Sequence, residues 1–210
     1  MQDKISKERI IAYIDGFNLY FGLRAKGFDD YRWLNPYKLV LNMLKESQEL
    51  ISVKYFTSRV SNNQEKQKRQ NIYLDAIDST KTEIYYGHYQ RNIAECLSCN
   101  NKWYNYNEKK TDVNIASQLL KDAFLDKFDC AFLISGDTDL VPPIEIINEF
   151  ISNKRVLVAF PPKRSNEQLK IVSKGNLVIG RKILKASQFT SKVKLASGWE
   201  VYRPKEWNSK

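Results

Sequence analysis

Apolar and polar positions alternate in blocks along this chain. Residues 9–14 form an apolar run with β-branched Ile10, Ile11 and Ile14, which predicts a buried strand. Residues 19–25 predict a short helix. Asn35 and Pro36 mark the start of another, as N-cap and first helical residue, with Leu39, Val40, Met43 and Leu44 as its apolar face. Residues 51–56 alternate as a strand. Residues 61–71 are polar and open a surface helix that buries Ile72, Leu74 and Ile77, and residues 82–86 predict a further strand. Residues 88–110 read as an irregular, aromatic insertion. The clearest helix starts at Thr111, expected as its cap, because Val113, Ala116, Leu119, Leu120, Ala123 and Phe124 recur at helical spacing. A strand over 128–134 follows, then a helix over 140–150 with Pro142 and Pro143 in its first turn. A strand over 155–160, a helix over 165–173 capped by Ser165, a strand over 177–179 and a short basic helix over 181–188 complete the pattern.

Strands that alternate with helices imply a mostly parallel sheet covered on both faces. The expected organisation is a flexible tail over 1–8, one domain over 9–188 with the 88–110 insertion, and a basic C-terminal tail over 189–210. A length of 210 residues suits one such domain. The sequence has no run of 18 apolar residues, so no membrane-spanning helix is expected. The polar start, MQDKISKERI, lacks the apolar core of a secretory signal. Three cysteines, an odd number, fit a reducing cytoplasm better than a disulfide framework.

Charge changes the picture more. The net charge is +10, and residues 162–210 hold 12 Lys/Arg against 3 Asp/Glu. A neutral body with a basic C-terminal quarter points to a polyanionic partner, most simply nucleic acid, or to a solvated lysine-rich surface.

Carboxylates stand at the predicted strand and helix ends. Asp15 follows the first strand. Asp112 lies in the first turn of a helix. Asp137 and Asp139 follow the strand over 128–134. Each has a plain reading, as a turn residue or a helix-dipole partner. Together they can converge on one edge of a doubly wound sheet, where oxygen-rich ligands suit Mg²⁺ or Mn²⁺. His88 is the one histidine, so paired-imidazole chemistry is excluded, and no nucleophile-elbow signature surrounds a serine.

Three segments carry a resemblance: residues 13–18 (YIDGFN), 110–114 (KTDVN) and 135–142 (SGDTDLVP). In this order they resemble the NYN domain of LabA-like proteins, a branch of the PIN-like metal-dependent nuclease superfamily. The resemblance implies a Rossmann-like three-layer αβα sandwich and an acidic site for cutting RNA. It implies that Asp15, Asp112 and Asp137 carry the metal, with Asp139 as a further ligand or water-orienting group. Asn18, Lys110, Asn114, Ser135 and Thr138 are then supporting or phosphate-binding residues. The reaction expected of such a site is phosphodiester hydrolysis that leaves 5′-phosphate ends, with RNA, single-stranded or structured, as partner. The other function open on the same fold is a regulatory RNA- or protein-binding module without turnover. A haloacid-dehalogenase-type phosphatase is disfavoured, since Phe17 stands where its second aspartate belongs.

The insertion admits a second metal. Cys96 and Cys99 have knuckle spacing, and His88 precedes them, so a structural Zn²⁺ and two free cysteines are both open readings. Tyr89, Trp103, Tyr104 and Tyr106 either stack bases or form the insertion's own small core. Arg24, Lys26, Arg91, Lys102 and Lys109 are expected near the acidic edge. The segment from Trp199 to Trp207 is expected to dock on the body or on the partner chain of a homodimer.

Overall fold

The computed structural model describes residues 6–60, 63–95, 99 and 102–207; side chains are described outside 88–95 and 102–109. In chain order the elements are β1 (Glu8–Asp15), α1 (Gly16–Ala25), α2 (Pro36–Leu41), β2 (Gln48–Thr57), α3 (Gln64–Asp78), β3 (Thr82–Tyr86), β4 (His88–Glu95), β5 (Lys102–Lys109), α4 (Thr111–Phe124), β6 (Cys130–Ile134), α5 (Val141–Phe150), β7 (Arg155–Phe160), α6 (Glu167–Val172), β8 (Asn176–Val178), α7 (Arg181–Ala186), β9 (Lys192–Lys194) and β10 (Glu200–Tyr202).

Six strands form one sheet in the order β3-β2-β1-β6-β7-β8, and every neighbouring pair is parallel. Alternate residues of each strand feed opposite layers. Ile10, Ala12 and Ile14 of β1 pack with Leu19 and Leu23 of α1, Leu39 of α2 and Ile77 of α3. Ile11 and Tyr13 pack with Ile115 and Leu119 of α4, Ile144 of α5 and Leu169 of α6. This is the three-layer αβα sandwich expected from the pattern. All five residues of β6 are buried, as the unbroken apolar run requires. Among them is Cys130, whose thiol burial pushes up to about 12.

One buried ion pair fixes α4 on its layer. Lys54 of β2 reaches Asp122 of α4 at 2.6 Å, and the Tyr13 hydroxyl donates to the same Asp122 oxygen at 2.6 Å. Burial, then the Asp122 hydrogen bond, hold the Tyr13 phenol far above its ordinary value, so it stays a donor. Asp112 lies ten residues back on the same helix, about 15 Å along its axis.

Several local expectations change. The insertion is not irregular: β4 and β5 form an antiparallel hairpin, registered from His88 opposite Lys109 to Glu95 opposite Lys102. The alternation of Tyr104 and Tyr106 with Asn105 and Asn107 is the period of a strand. Thr111 does not cap α4. Lys110 occupies that position with φ 79°, and its carbonyl accepts from Asn114 N at 2.8 Å. Asn166, not Ser165, caps α6 and accepts from the amides of Gln168 and Leu169. At the C-terminus, β9 and β10 pair as a short hairpin, and Trp207 packs against Trp33 and Tyr73.

Candidate metal centre and adjoining cleft

Successive strands run outward from β1 in one direction through β2 and β3, and in the other through β6, β7 and β8. The boundary between β1 and β6 is therefore a topological switch point, where ligands of open α/β sheets bind. Asp15 ends β1, and Ser135-Gly136-Asp137 follow β6 directly.

Each acid sits at a helix start. Asp15 is the N-cap of α1, and its Oδ1 accepts from Asn18 N at 2.9 Å. Asp112 is in the first turn of α4. Asp137 caps the short 3₁₀ turn Thr138–Leu140 that leads into α5, and its Oδ1 accepts from Asp139 N at 3.0 Å. One carboxylate oxygen from each of Asp15, Asp112 and Asp137 lies within 4.8 Å of the others. Asp15 is buried, and the other two are half-buried.

Magnitudes decide what this cluster needs. At an effective dielectric near 20, each ionised pair at that distance repels by about 3 kcal/mol. A helix N-terminus returns only about 0.3–1 kcal/mol per carboxylate. The helix ends return less than this repulsion, and a divalent cation held by all three acids would offset it. Two oxygens on one Mg²⁺ are at most about 4.2 Å apart, twice the metal–oxygen length. Side-chain movements of about half an ångström bring the acids onto one hard ion, so the donor set fits such a metal.

The support is specific. Ser135 Oγ donates to Asp15 Oδ2 at 3.0 Å and accepts from Asp137 N at 3.1 Å. Asn18 Oδ1 accepts from Gly136 N at 3.0 Å. Gly136 has no room for a side chain, because an added Cβ would meet the Arg164 carbonyl oxygen at 1.9 Å. The loop carrying Arg164 thus lies against Gly136, while the Arg164 side chain passes Gly22 of α1 and its buried Nε has no partner among the described residues. Near Asp112, the Thr111 and Ser58 hydroxyls approach to 3.5 Å.

The other sequence-derived residues fall as follows. Asp139 is exposed and is not in the group that can share an ion; its amide supports Asp137 instead. Asn114 Nδ2 donates to the Tyr86 carbonyl at 3.4 Å, so it ties α4 to β3. Lys110 and Thr138 are exposed at the rim. Cys99 is exposed, and the zinc reading, which needs the side chains of His88 and Cys96, lies outside the described residues. The same holds for Tyr89, Arg91, Lys102, Trp103, Tyr104, Tyr106 and Lys109.

A cleft of about 470 Å³ opens beside Asp15, between α1 and α3. Gly16, Phe17, Phe21, Tyr55 and Lys66 are among its walls. It was not anticipated from the sequence. The signal was present as a second stripe on α1, Phe17, Tyr20, Phe21 and Arg24, distinct from the buried Leu19 and Leu23.

Carboxylates from three separate segments, gathered at the switch point of a parallel αβα sandwich, form a group that could hold a divalent cation on a Rossmann-like fold. The chain belongs to the NYN domain family, which matches residues 9–176. It is 26% identical to 6-hydroxy-3-succinoylpyridine 3-monooxygenase HspA of Pseudomonas putida, across 79% of this chain and 64% of that protein. The chain thus spans less than two thirds of that relative's length. A protein of unknown function from Vibrio parahaemolyticus shares the fold, with a TM-score of 0.58 and 22% identity over 86% of this chain and 98% of that one. Among the described residues, no helix is long and apolar enough to cross a membrane.

Proposed function

We propose that this chain is a metal-dependent ribonuclease of the LabA-like branch, acting on single-stranded RNA. The observation that carries this reading is the convergence of Asp15, Asp112 and Asp137 within 4.8 Å. These three would hold Mg²⁺ or Mn²⁺. When bound, such an ion polarises a phosphoryl oxygen and makes water a nucleophile at neutral pH. Ser135 and the Asn18 amide keep the Asp15 carboxylate in place. Attack of water on phosphorus forms one P–O bond and breaks the bond to the 3′ oxygen, which leaves with a proton. The phosphate stays on the 5′ end of the downstream fragment.

The second reading is a module that binds RNA or protein without cutting. The filled acidic set favours turnover, since binding alone gives no reason to keep three mutually repelling carboxylates. The test is incubation of purified protein with single-stranded RNA and Mn²⁺. Fragments with 5′-phosphates are expected, none in EDTA, and none from folded Asp15→Asn or Asp137→Asn variants. Cleavage that persists in EDTA, or RNA that stays whole with both Mg²⁺ and Mn²⁺, contradicts the proposal.

A further inference from the structure

We propose that the cleft between α1 and α3 is a nucleotide subsite, which takes one base of the RNA and the phosphate attached to it. It rests on the hydrolytic reading of the neighbouring acids and adds where the substrate strand is gripped.

Two helices build the cleft with the same spacing. On α1, Phe17, Tyr20, Phe21 and Arg24 stand at i, i+3, i+4 and i+7. On α3, Lys66, Arg69, Gln70 and Tyr73 repeat it. A stripe at this spacing is normally a helix's buried face. On α1 that role is already filled by Leu19 and Leu23, which are 3% and 2% exposed. The aromatic stripe is therefore additional, and Phe21 remains 44% exposed. The Phe17 and Phe21 rings stack at 6.2 Å and 22°, which makes a ledge rather than a plug.

The charge is one-sided. Arg24, Arg32, Lys66 and Arg69 line the cleft, and among the described residues no Asp or Glu does. Arg69 is engaged by Glu206 at 2.9 Å and Arg32 by Asp29 at 3.3 Å. Arg24 lies over the Tyr20 ring at 5.9 Å. No carboxylate pairs with Arg24 or Lys66 among the described residues. Two cations that no described carboxylate pairs, beside the exposed Phe21 ring, attract an anion that also has a flat π-surface. A purely apolar guest would leave both cations unused, and an acidic peptide would leave the ledge unused. A nucleotide satisfies both, as single-strand binders do by stacking bases beside a basic track. The volume, about 470 Å³, falls in the small-ligand range of about 300–1,000 Å³.

The cleft adjoins the segment that carries Asp15. Its wall begins at Gly16, one residue after Asp15. A Cβ at Gly16 would meet the Tyr55 hydroxyl at 2.6 Å, so helix, sheet and cleft floor close together at this point. Tyr55 also lines the cleft, and its phenol is held above its ordinary value by burial and then by the Asp15 charge.

The test titrates 5′-AMP into the wild-type chain in EDTA, followed by calorimetry. Saturable binding is expected. Phe21→Ala and Lys66→Glu should each weaken it by about tenfold, within the range of one lost stacking or phosphate contact. Both variants should keep the wild-type Mn²⁺ affinity and raise KM for RNA more than they lower kcat. AMP binding that neither variant moves overturns the subsite, as does binding of nicotinate, a small aromatic acid, in preference to AMP. If AMP binds through Phe21 and Lys66 while RNA stays whole, the hydrolytic reading fails and the nucleotide site stands. If RNA is cut and both variants match wild type in AMP affinity and KM, the subsite alone falls.

Discussion

Ser135 hands a hydrogen bond to Asp15 across 120 positions of sequence, Oγ to Oδ2 at 3.0 Å. The same hydroxyl oxygen accepts from the Asp137 amide at 3.1 Å. One buried side chain thus orients two of the three clustered acids. Removing it leaves Asp15 with fewer fixed contacts. Ser135→Ala is expected to lower Mn²⁺ affinity by about 10- to 100-fold, the usual loss when a ligand's orienting partner goes. Titration calorimetry with Mn²⁺ measures this, and unchanged circular dichroism would show the fold intact.

Gly136 is fixed by the Arg164 carbonyl. Gly136→Ala places a methyl where that oxygen stands, 1.9 Å away. The two nearest atoms, the Arg164 carbonyl oxygen and carbon, are backbone, so the loop must move. It is expected to cost about 1–3 kcal/mol of stability and to break the Gly136 amide's bond to Asn18. Urea unfolding checks the first consequence and Mn²⁺ titration the second.

The buried Lys54–Asp122 pair holds α4, and with it Asp112, in register. Both side chains are less than a tenth exposed. Lys54→Met strands a buried carboxylate, and Asp122→Leu strands a buried ammonium. Each is expected to cost about 3–5 kcal/mol, and the double variant to recover much of it. A double-mutant cycle by urea unfolding reads the coupling. Additive losses would show that the two charges do not act as a pair.

Alkaline pH should weaken the fold. Burial raises the phenols of Tyr13, Tyr55 and Tyr73. Burial and then the Glu83 hydrogen bond push Tyr85 up to about 12. A raised folded value means that the folded chain keeps protons the unfolded chain releases. The contribution is whole below the unfolded tyrosine value, about 10, and is lost as pH rises through the folded values. Tyrosinate absorbance is therefore expected to lag at first and then to rise together with loss of helical circular dichroism. Early ionisation of all tyrosines in a folded protein would contradict it.

Much of the fold was legible because buried parallel strands are near-continuous apolar runs, as in residues 130–134, and amphipathic helices keep their period, as in α4. The caps were less so. Thr111 is a good capping residue by type, yet Lys110 takes the left-handed turn that joins β5 to α4. The spacing of side chains in 102–109 carried a strand signal that the surrounding polar residues hid. Asp15, Asp112 and Asp137 were singled out by position at element ends. Adjacency to Asp137 did not bring Asp139 into their group, because its carboxylate follows the 3₁₀ turn outward while its amide faces Asp137. The cleft went unseen because each helix showed its stripe separately, and only the packed layers set the two face to face.

The claim beneath all of this is that three separate segments close on one hard cation. Crystals soaked in Mn²⁺ and measured for anomalous scattering test it most directly. The account predicts one peak within about 2.1–2.3 Å of a carboxylate oxygen from each of Asp15, Asp112 and Asp137. A map with no peak there, or with manganese held by a single one of these aspartates, would contradict it.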